Sequence, residues 1–99
     1  MLQLIALHRP PEDKEAFLRR YRAEHLPLAA RMPRLLGMAT GPVEGLAVDL
    51  PYWYMATLGF PDRETLMASQ RSQESRAALE ALMAFAQGLV DFAVREVGA

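Results

Sequence analysis

Residues 52–60 read Tyr-Trp-Tyr-Met-Ala-Thr-Leu-Gly-Phe, and this stretch decides the fold class. It is rich in aromatic and apolar residues and Pro61 follows it, so it predicts a β-strand from Tyr52 to Phe60. Successive side chains of a strand point to opposite faces, and here both faces are largely apolar. The sheet that contains this strand therefore needs cover on both sides.

Hydrophobic spacing, prolines and glycines divide the rest of the chain into further elements. They are a strand at Leu2–Leu7, a helix after Asp13, a strand at Leu35–Val43, a helix from Arg63 to about Ser69 that is interrupted at Gln70–Ser75 and resumes at Arg76–Gln87, and a strand at Leu89–Val97. This order is that of the ferredoxin-like βαββαβ arrangement. The sequence predicts an α+β fold with a four-stranded antiparallel sheet and two helices on one face.

Local signals place the helix ends. Asp13 and Asp62 are predicted N-caps, and Gly88 is predicted to stop the second helix. Pro27 lacks an amide hydrogen and clashes with the carbonyl one turn earlier, so we expect the first helix to end or kink near His25. The second helix is predicted to bury Leu79, Leu82, Met83, Phe85 and Ala86.

Composition limits the partners. The 99 residues fit one domain, residues 1–99. The chain has 11 basic and 12 acidic residues, and the arginines alternate with acids, so we expect no nucleic-acid partner. It has no cysteine, which excludes disulfides and thiolate chemistry. The apolar run at its start is too short for a signal sequence or a membrane span, so we expect a cytoplasmic protein with no membrane partner.

The first strand repeats the two-sided apolar pattern. Leu2, Leu4 and Ala6 point one way, and Ile5 and Leu7 point the other. Two helices cover only one face, and large exposed apolar faces are rare in monomers. We therefore predict a homodimer that packs sheet against sheet. Each subunit would keep a cavity beside its first helix for a small hydrophobic ligand.

Several motifs point to a known family. In the first half they are His25-Leu26-Pro27-Leu28, with Phe17 and Tyr21 before it and Met32-Pro33 after it. In the second half they are residues 52–60, Asp62-Arg63-Glu64, Ser72, Glu74 and Phe85. Together they resemble EthD-like proteins, which are associated with the degradation of ether compounds alongside an oxygenase system. One departure is that the family usually has glycine after the proline that follows the first helix, where this chain has Arg34.

The resemblance implies a dimeric α+β barrel. That superfamily includes cofactor-free oxygenases, lactone isomerases, cyclases, dehydratases and haem enzymes. Such variety means that the fold does not choose the reaction.

His25 is the leading candidate for chemistry because it shares a helical stripe with Phe17, Leu18 and Tyr21 and should face the sheet. Its imidazole can take or give a proton near neutral pH. Burial would lower its pKa, and the negative end of the first helix would raise it. Tyr21, one turn earlier, could present its hydroxyl to the same space. The alternatives are a helix-end histidine bonded to backbone and a tyrosine that only packs in the core.

Further residues are candidates for ligand binding. His8 ends the first strand and is expected near the mouth of the cavity. Tyr52, Trp53 and Tyr54 alternate across the sheet, so one set should line the cavity and the other should pack elsewhere. Leu28 belongs to the motif beside His25. The alternatives are core packing for the aromatic residues and a solvated loop for His8.

The sequence predicts no metal site, because the two histidines are far apart and no cysteine or His-x-His spacing accompanies them. It also contains no phosphate loop or nucleophile elbow, so we expect no cofactor. Three functions remain. The favoured one is a cofactor-free oxygenase, isomerase or lyase that uses His25 on a small hydrophobic or aromatic compound. The others are a non-catalytic accessory or ligand-binding protein, and a haem-binding protein.

Overall fold

Four antiparallel strands form one sheet in the computed structural model, which describes residues 1–98. The strands are β1 (Leu2–His8), β2 (Gly37–Pro42), β3 (Tyr54–Phe60) and β4 (Val90–Glu96). Their order across the sheet is β2-β3-β1-β4, so the two most apolar strands lie at the centre. The ferredoxin-like fold predicted from the sequence is confirmed.

Helices cover one face of this sheet. They are α1 (Lys14–Arg20), a π-helical turn (Tyr21–His25), α2 (Leu26–Ala29), α3 (Arg63–Gln70) and α4 (Gln73–Ala86). Both predicted aspartate caps are confirmed, because Asp13 accepts a bond from Ala16 N at 3.0 Å and Asp62 accepts one from Thr65 N at 2.8 Å. Gly88 follows the last helix with φ 79°, as expected of a helix stop.

The first helical segment changes its winding before Pro27 instead of ending. Pro27 has no amide hydrogen, so a regular α-helix loses a bond there. The turn widens, and Leu26 N–H bonds to the carbonyl of Tyr21 five residues earlier. Single π-helical turns of this kind are frequent at functional sites. The predicted kink is therefore a wide turn that carries Tyr21 and His25.

Three elements differ from their predicted bounds by two residues or more. The strand β3 begins at Tyr54 rather than Tyr52, and β2 is shorter than the predicted Leu35–Val43. The helix α4 begins at Gln73 rather than Arg76. Its N-cap is Ser72, whose hydroxyl accepts a bond from Ser75 N at 3.1 Å, so the polar stretch is a helix start rather than a break.

Strand register separates the residues into two faces. Residues of β1, β3 and β4 with even numbers point toward the helices, and we call this the helix-covered face. It holds two buried clusters. The first is Leu2, Ala6, Ala29, Ala56, Leu58, Phe60, Leu66 and Ala78, and the second is Phe17, Tyr21, Tyr54, Leu82 and Ala86.

Residues with odd numbers form the opposite, helix-free face. Its centre is apolar and consists of Ile5, Leu7, Ala39, Met55 and Ala93 with Thr57. Polar pairs lie at its two ends. Arg95 Nε donates to Gln3 Oε1 at 2.8 Å at one end, and Arg9 pairs with Asp91 at the other. Both faces are thus apolar, as the sequence predicts.

Across residues 1–98, none of the helices has the length and apolar character needed to span a bilayer.

Candidate functional site

A cavity of about 270 Å³ lies between the helices and the sheet. Three short side chains help to make the space, since Ala6 and Ala56 are register partners on the central strands and Ala29 lies on α2. The other lining residues are Leu4, Tyr21, His25, Leu26, Met32, Met38, Leu58, Gln70, Ser75, Arg76, Leu79, Leu82 and Phe92. The cavity is mainly apolar and has a few polar groups, which is typical of small-molecule sites.

His25 lines this cavity and is buried. Its Nδ1 lies 2.8 Å from the carbonyl oxygen of Ala78 on α4. A carbonyl oxygen can only accept, so Nδ1 carries the hydrogen and donates it. In the neutral ring, this leaves Nε2 as the nitrogen with a free lone pair.

Two effects compete on the pKa of His25. Burial lowers the pKa and is the larger effect, and the hydrogen bond to Ala78 raises it. The net pKa lies below the ordinary value of 6.5. At neutral pH the ring is therefore uncharged, and Nε2 can act as a base.

Tyr21 lies beside His25 on the same wall, with the two ring centroids 5.2 Å apart. The side chain is fully buried, and burial, with a smaller contribution from nearby Tyr54, raises its pKa above the ordinary value of 10.0. The phenol therefore keeps its proton at neutral pH. Its hydroxyl lies 3.2 Å from Nε2 of His8. The predicted association of Tyr21 with His25 is found in the structure.

His8 lies behind Tyr21 rather than at a cavity mouth. It is fully buried, contacts the rings of Tyr21 and Phe17, and is outside the cavity lining. The reason is strand alternation, because His8 shares the helix-covered face with Ala6. Burial, together with the nearby charge of His25, lowers the pKa of His8 to about 4, so it is neutral at pH 7.

Two of the predicted aromatic ligand contacts pack in the core instead. Tyr54 is buried, and its ring lies 5.7 Å from that of Tyr21. Trp53 packs edge-to-face against Phe17 at 5.9 Å, and Lys14 Nζ lies 5.3 Å from its ring centroid. Neither residue lines the cavity.

The other two predicted contacts also lie elsewhere. The hydroxyl of Tyr52 donates to Asp91 at 2.6 Å, within the polar end of the helix-free face. Leu28 packs against the buried cluster and borders a shallow surface depression with Arg31 and Gln73. Of the predicted site residues, the cavity thus brings together His25 and Tyr21.

Sequence reasoning missed three polar lining residues, Gln70, Ser75 and Arg76. Gln70 and Ser75 belong to the stretch that was interpreted as a helix break, and Arg76 is the first residue of the resumed helix in that interpretation. If Ser72 is taken as the cap, helical spacing puts Ser75, Leu79 and Leu82 on one stripe, and all three line the cavity. This cap was the signal that could have found them. Leu79, which was predicted to be buried, is 47% exposed at the cavity edge because the stripe faces the cavity.

The arrangement combines a neutral base with a protonated phenol, whose hydroxyl lies against His8, in a mainly apolar wall. A base at Nε2 can take a proton from a bound acid, and a phenol can donate a hydrogen bond to the oxygen that becomes negative. Low local polarity strengthens such interactions. Among residues 1–98, no three His, Asp or Glu side chains group closely enough to hold a metal ion.

Comparisons of the sequence and of the structure with known proteins lead to the same family. The EthD domain matches residues 9–84. The structure is similar to a crystal structure of an ethyl tert-butyl ether D (EthD) family protein from Bacillus halodurans, with 31% identity, a TM-score of 0.91 and 99% of each chain covered. No curated protein matches the sequence.

Two more distant solved structures share the fold. A dimeric ferredoxin-like protein of unknown function from Jannaschia has 20% identity and a TM-score of 0.72, with 97% of this chain and 98% of that chain covered. SnoaB, a cofactor-independent oxygenase from Streptomyces nogalater, has 11% identity and a TM-score of 0.67, with 99% and 93% covered. At these identities the likeness concerns the fold alone.

Proposed function

The chain belongs to the EthD family, and we propose that it is a cofactor-free enzyme that moves a proton on a small, mainly apolar molecule through His25. The observation that carries the proposal is the hydrogen bond from His25 Nδ1 to Ala78 O at 2.8 Å in the wall of the cavity. This bond fixes the ring and its tautomer, so that Nε2 is the basic nitrogen.

The proposed step begins when a substrate with an acidic C–H or O–H bond enters the cavity. Nε2 of His25 takes the proton, and the electron pair of the broken bond moves onto the substrate as an enolate or phenolate. The phenol of Tyr21 stays protonated, and when Nε2–H of His8 is the donor in the bond between them, the hydroxyl of Tyr21 is free to donate a hydrogen bond to the oxygen that gains charge. Return of the proton to another carbon gives an isomer, and loss of a leaving group gives a lyase product.

Oxygen chemistry is a further fate of the same carbanion. SnoaB, which has this fold, is a cofactor-independent oxygenase. An enolate or phenolate made by His25 could transfer one electron to molecular oxygen, and recombination of the two radicals would form a C–O bond and give a peroxide. The proton transfer at His25 is common to all of these outcomes and is the step to be tested.

We further propose that the working form is a homodimer joined through the helix-free face. The centre of that face is apolar, and polar pairs lie at both ends, which is the usual composition of a protein interface. The solved Jannaschia protein is described as dimeric. Burial of the face would also supply stability that a domain of this size lacks.

The test of the proton transfer uses phenylacetone, a small aromatic ketone with acidic C–H bonds, in D₂O. The protein is expected to accelerate exchange of these hydrogens for deuterium, measured by proton NMR. His25→Gln keeps an N–H donor for Ala78 but removes the base, so the protein-dependent rate should fall by about 100-fold or more.

Arg22→Gln is the matched control, because Arg22 is exposed on the same π-helical turn and outside the cavity lining. It should exchange the ketone at the wild-type rate. A thermal unfolding curve of each variant shows whether the fold is kept. Equal exchange rates for His25→Gln and wild type, with both folded, would contradict the proposed role of His25.

A non-catalytic ligand-binding protein is the second candidate, and the apolar character of most lining residues favours it. In that case small aromatic compounds would bind and be recovered unchanged. Their hydrogens would exchange no faster than in buffer.

A further inference from the structure

A buried hydroxyl in the cavity wall has no partner in the protein. Ser75 is 3% exposed and lines the cavity, and its Oγ makes no hydrogen bond to any of residues 1–98. The backbone N–H of Ser75 is already bonded to Ser72 Oγ, so the hydroxyl is not needed to cap the helix. Buried polar groups are nearly always paired, and an unpaired one calls for an explanation.

Two further residues with hydrogen-bond donors line the same cavity. They are Gln70 and Arg76. Within residues 1–98, the amide nitrogen of Gln70 donates to the sulfur of Met32 at 3.7 Å, and sulfur is a weak acceptor. Arg76 donates one bond to Arg71 O at 3.0 Å, and a guanidinium has five N–H groups in all.

Electrostatics at this end of the cavity favours negative charge. Ser75 and Arg76 lie in the first turn of α4, which has 14 residues, and the N-terminal end of a helix carries partial positive charge. The guanidinium of Arg76 adds a full positive charge. The acidic residue of this turn, Glu74, borders a different surface depression.

Positions along α4 indicate how long a ligand must be to contact both Ser75 and His25. His25 bonds to Ala78 O, one turn further along α4, and Leu82, in the same cluster as Tyr21, is two turns further. At a rise of about 1.5 Å per residue, Ala78 lies about 5 Å and Leu82 about 10 Å along the helix axis from Ser75. A molecule with one aromatic ring and a short side chain can therefore reach from the hydroxyl of Ser75 to the two catalytic candidates.

From these observations we infer that the cavity selects an apolar molecule with a carboxylate at one end, which is bound by Ser75, Gln70 and Arg76. The apolar body lies over Ala6, Ala29 and Ala56, and its reactive part lies beside His25. This inference rests on the proposed function, because it names the substrate class of the same cavity. A carboxylate suits the site because it can accept several hydrogen bonds and carries negative charge.

The experiment compares three probes with the same phenylpropyl body, namely 3-phenylpropanoate, 3-phenylpropanamide and propylbenzene. Their dissociation constants for the full chain are measured by NMR titration at pH 7. The carboxylate is expected to bind about tenfold more tightly than propylbenzene. Ser75→Ala should reduce this advantage roughly fivefold, and Arg76→Gln should remove the preference for the carboxylate over the amide.

Ser69→Ala is the matched control. Ser69 also has a buried hydroxyl without a partner among the described residues, but it lies outside the cavity lining. This variant should keep the wild-type preference for the carboxylate. An equal loss in Ser69→Ala and Ser75→Ala would overturn the inference.

The probes also separate the inference from the proposed function. If the three bind wild-type protein with equal affinity, the cavity is a ligand site but the carboxylate preference is wrong. If none of them binds up to its solubility limit, the proposed function is contradicted, and the inference with it.

Discussion

The helix-covered and helix-free faces come from alternate residues of the same strands, and they differ in side-chain size and in ionisable groups. The helix-covered face carries large rings and includes the buried His8, which lies against helical residues such as Tyr21. The helix-free face carries Ala39, Met55 and Ala93 at its centre, and its charges lie at the ends. Both faces are apolar at their centres, but only the first encloses groups that can exchange protons.

This difference teaches that apolar patterning alone does not identify the side of a sheet that carries chemistry. A flat face of small and medium side chains can pack against another protein surface with few gaps. On the helix-covered face, by contrast, large rings and short alanines lie together beneath the helices, and a cavity remains between the two layers. The two faces therefore have separate proposed tasks, and substitutions on each should have separate effects.

The largest expected effect is a difference in unfolding free energy between substitutions on the two faces. Phe60→Ala removes a fully buried ring from the helix-covered face and should lower the free energy of unfolding by about 3–5 kcal/mol. Met55→Ala, on the helix-free face of the same strand, should cost clearly less because Met55 is only half-buried in one copy. Urea unfolding measures both, at a low protein concentration. Equal losses of unfolding free energy would show that the two faces contribute equally to the stability of one copy, contrary to the prediction.

The next prediction concerns association. Ile5→Lys places a charge at the centre of the helix-free face and should weaken the dimer roughly 100-fold or more, because an unpaired charge is costly to bury. Val94→Lys is the control, since Val94 is exposed on the opposite side of the neighbouring strand. Light scattering after size-exclusion chromatography gives the mass of each. A wild-type monomer at micromolar concentration would show that the helix-free face is not an interface.

The smallest expected effect is a pH dependence that belongs to the helix-covered face. The pKa of His8 falls from 6.5 to about 4 on folding, so between these values the unfolded chain binds a proton that the folded chain does not. Stability from this residue is therefore full above pH 6.5 and is lost as the pH falls toward 4. Between pH 7 and 4.5 the wild type should lose about 2 kcal/mol more unfolding free energy than His8→Gln.

Urea unfolding at a series of pH values tests this prediction, and the slopes matter rather than the absolute stabilities. Identical slopes for the wild type and His8→Gln would mean that His8 takes up a proton in the folded protein as easily as in the unfolded chain. In that event the histidine would not be shielded from water as the structure indicates.

Much of the fold could be predicted from sequence because its signals are local. A capping aspartate such as Asp62 acts on residues within one turn, and Gly88 marks a helix end by its own backbone freedom. Strands with two apolar faces can likewise be predicted from a few consecutive residues. The placement of His25 and Tyr21 on one buried wall followed from helical spacing alone.

The rest depended on contacts between distant parts of the chain. Pro27 shows that regular helical bonding fails, but the choice of a π-helical turn is made by packing. The serine cap at Ser72 was overlooked because serine favours both helix starts and loops. For His8, alternation from Ala6 was the available signal, and it required knowing which face the helices cover.

The alanine floor of the cavity has a consequence for how this scaffold can change. The cavity exists in part because Ala6, Ala29 and Ala56 have short side chains. Exchange of any one for valine or glycine is expected to change the volume available to a ligand, and none of the three takes part in the hydrogen bond between His25 and Ala78. The size of the ligand and the acid-base chemistry thus depend on different residues. Evolution can change the alanines to suit another ligand and keep His25.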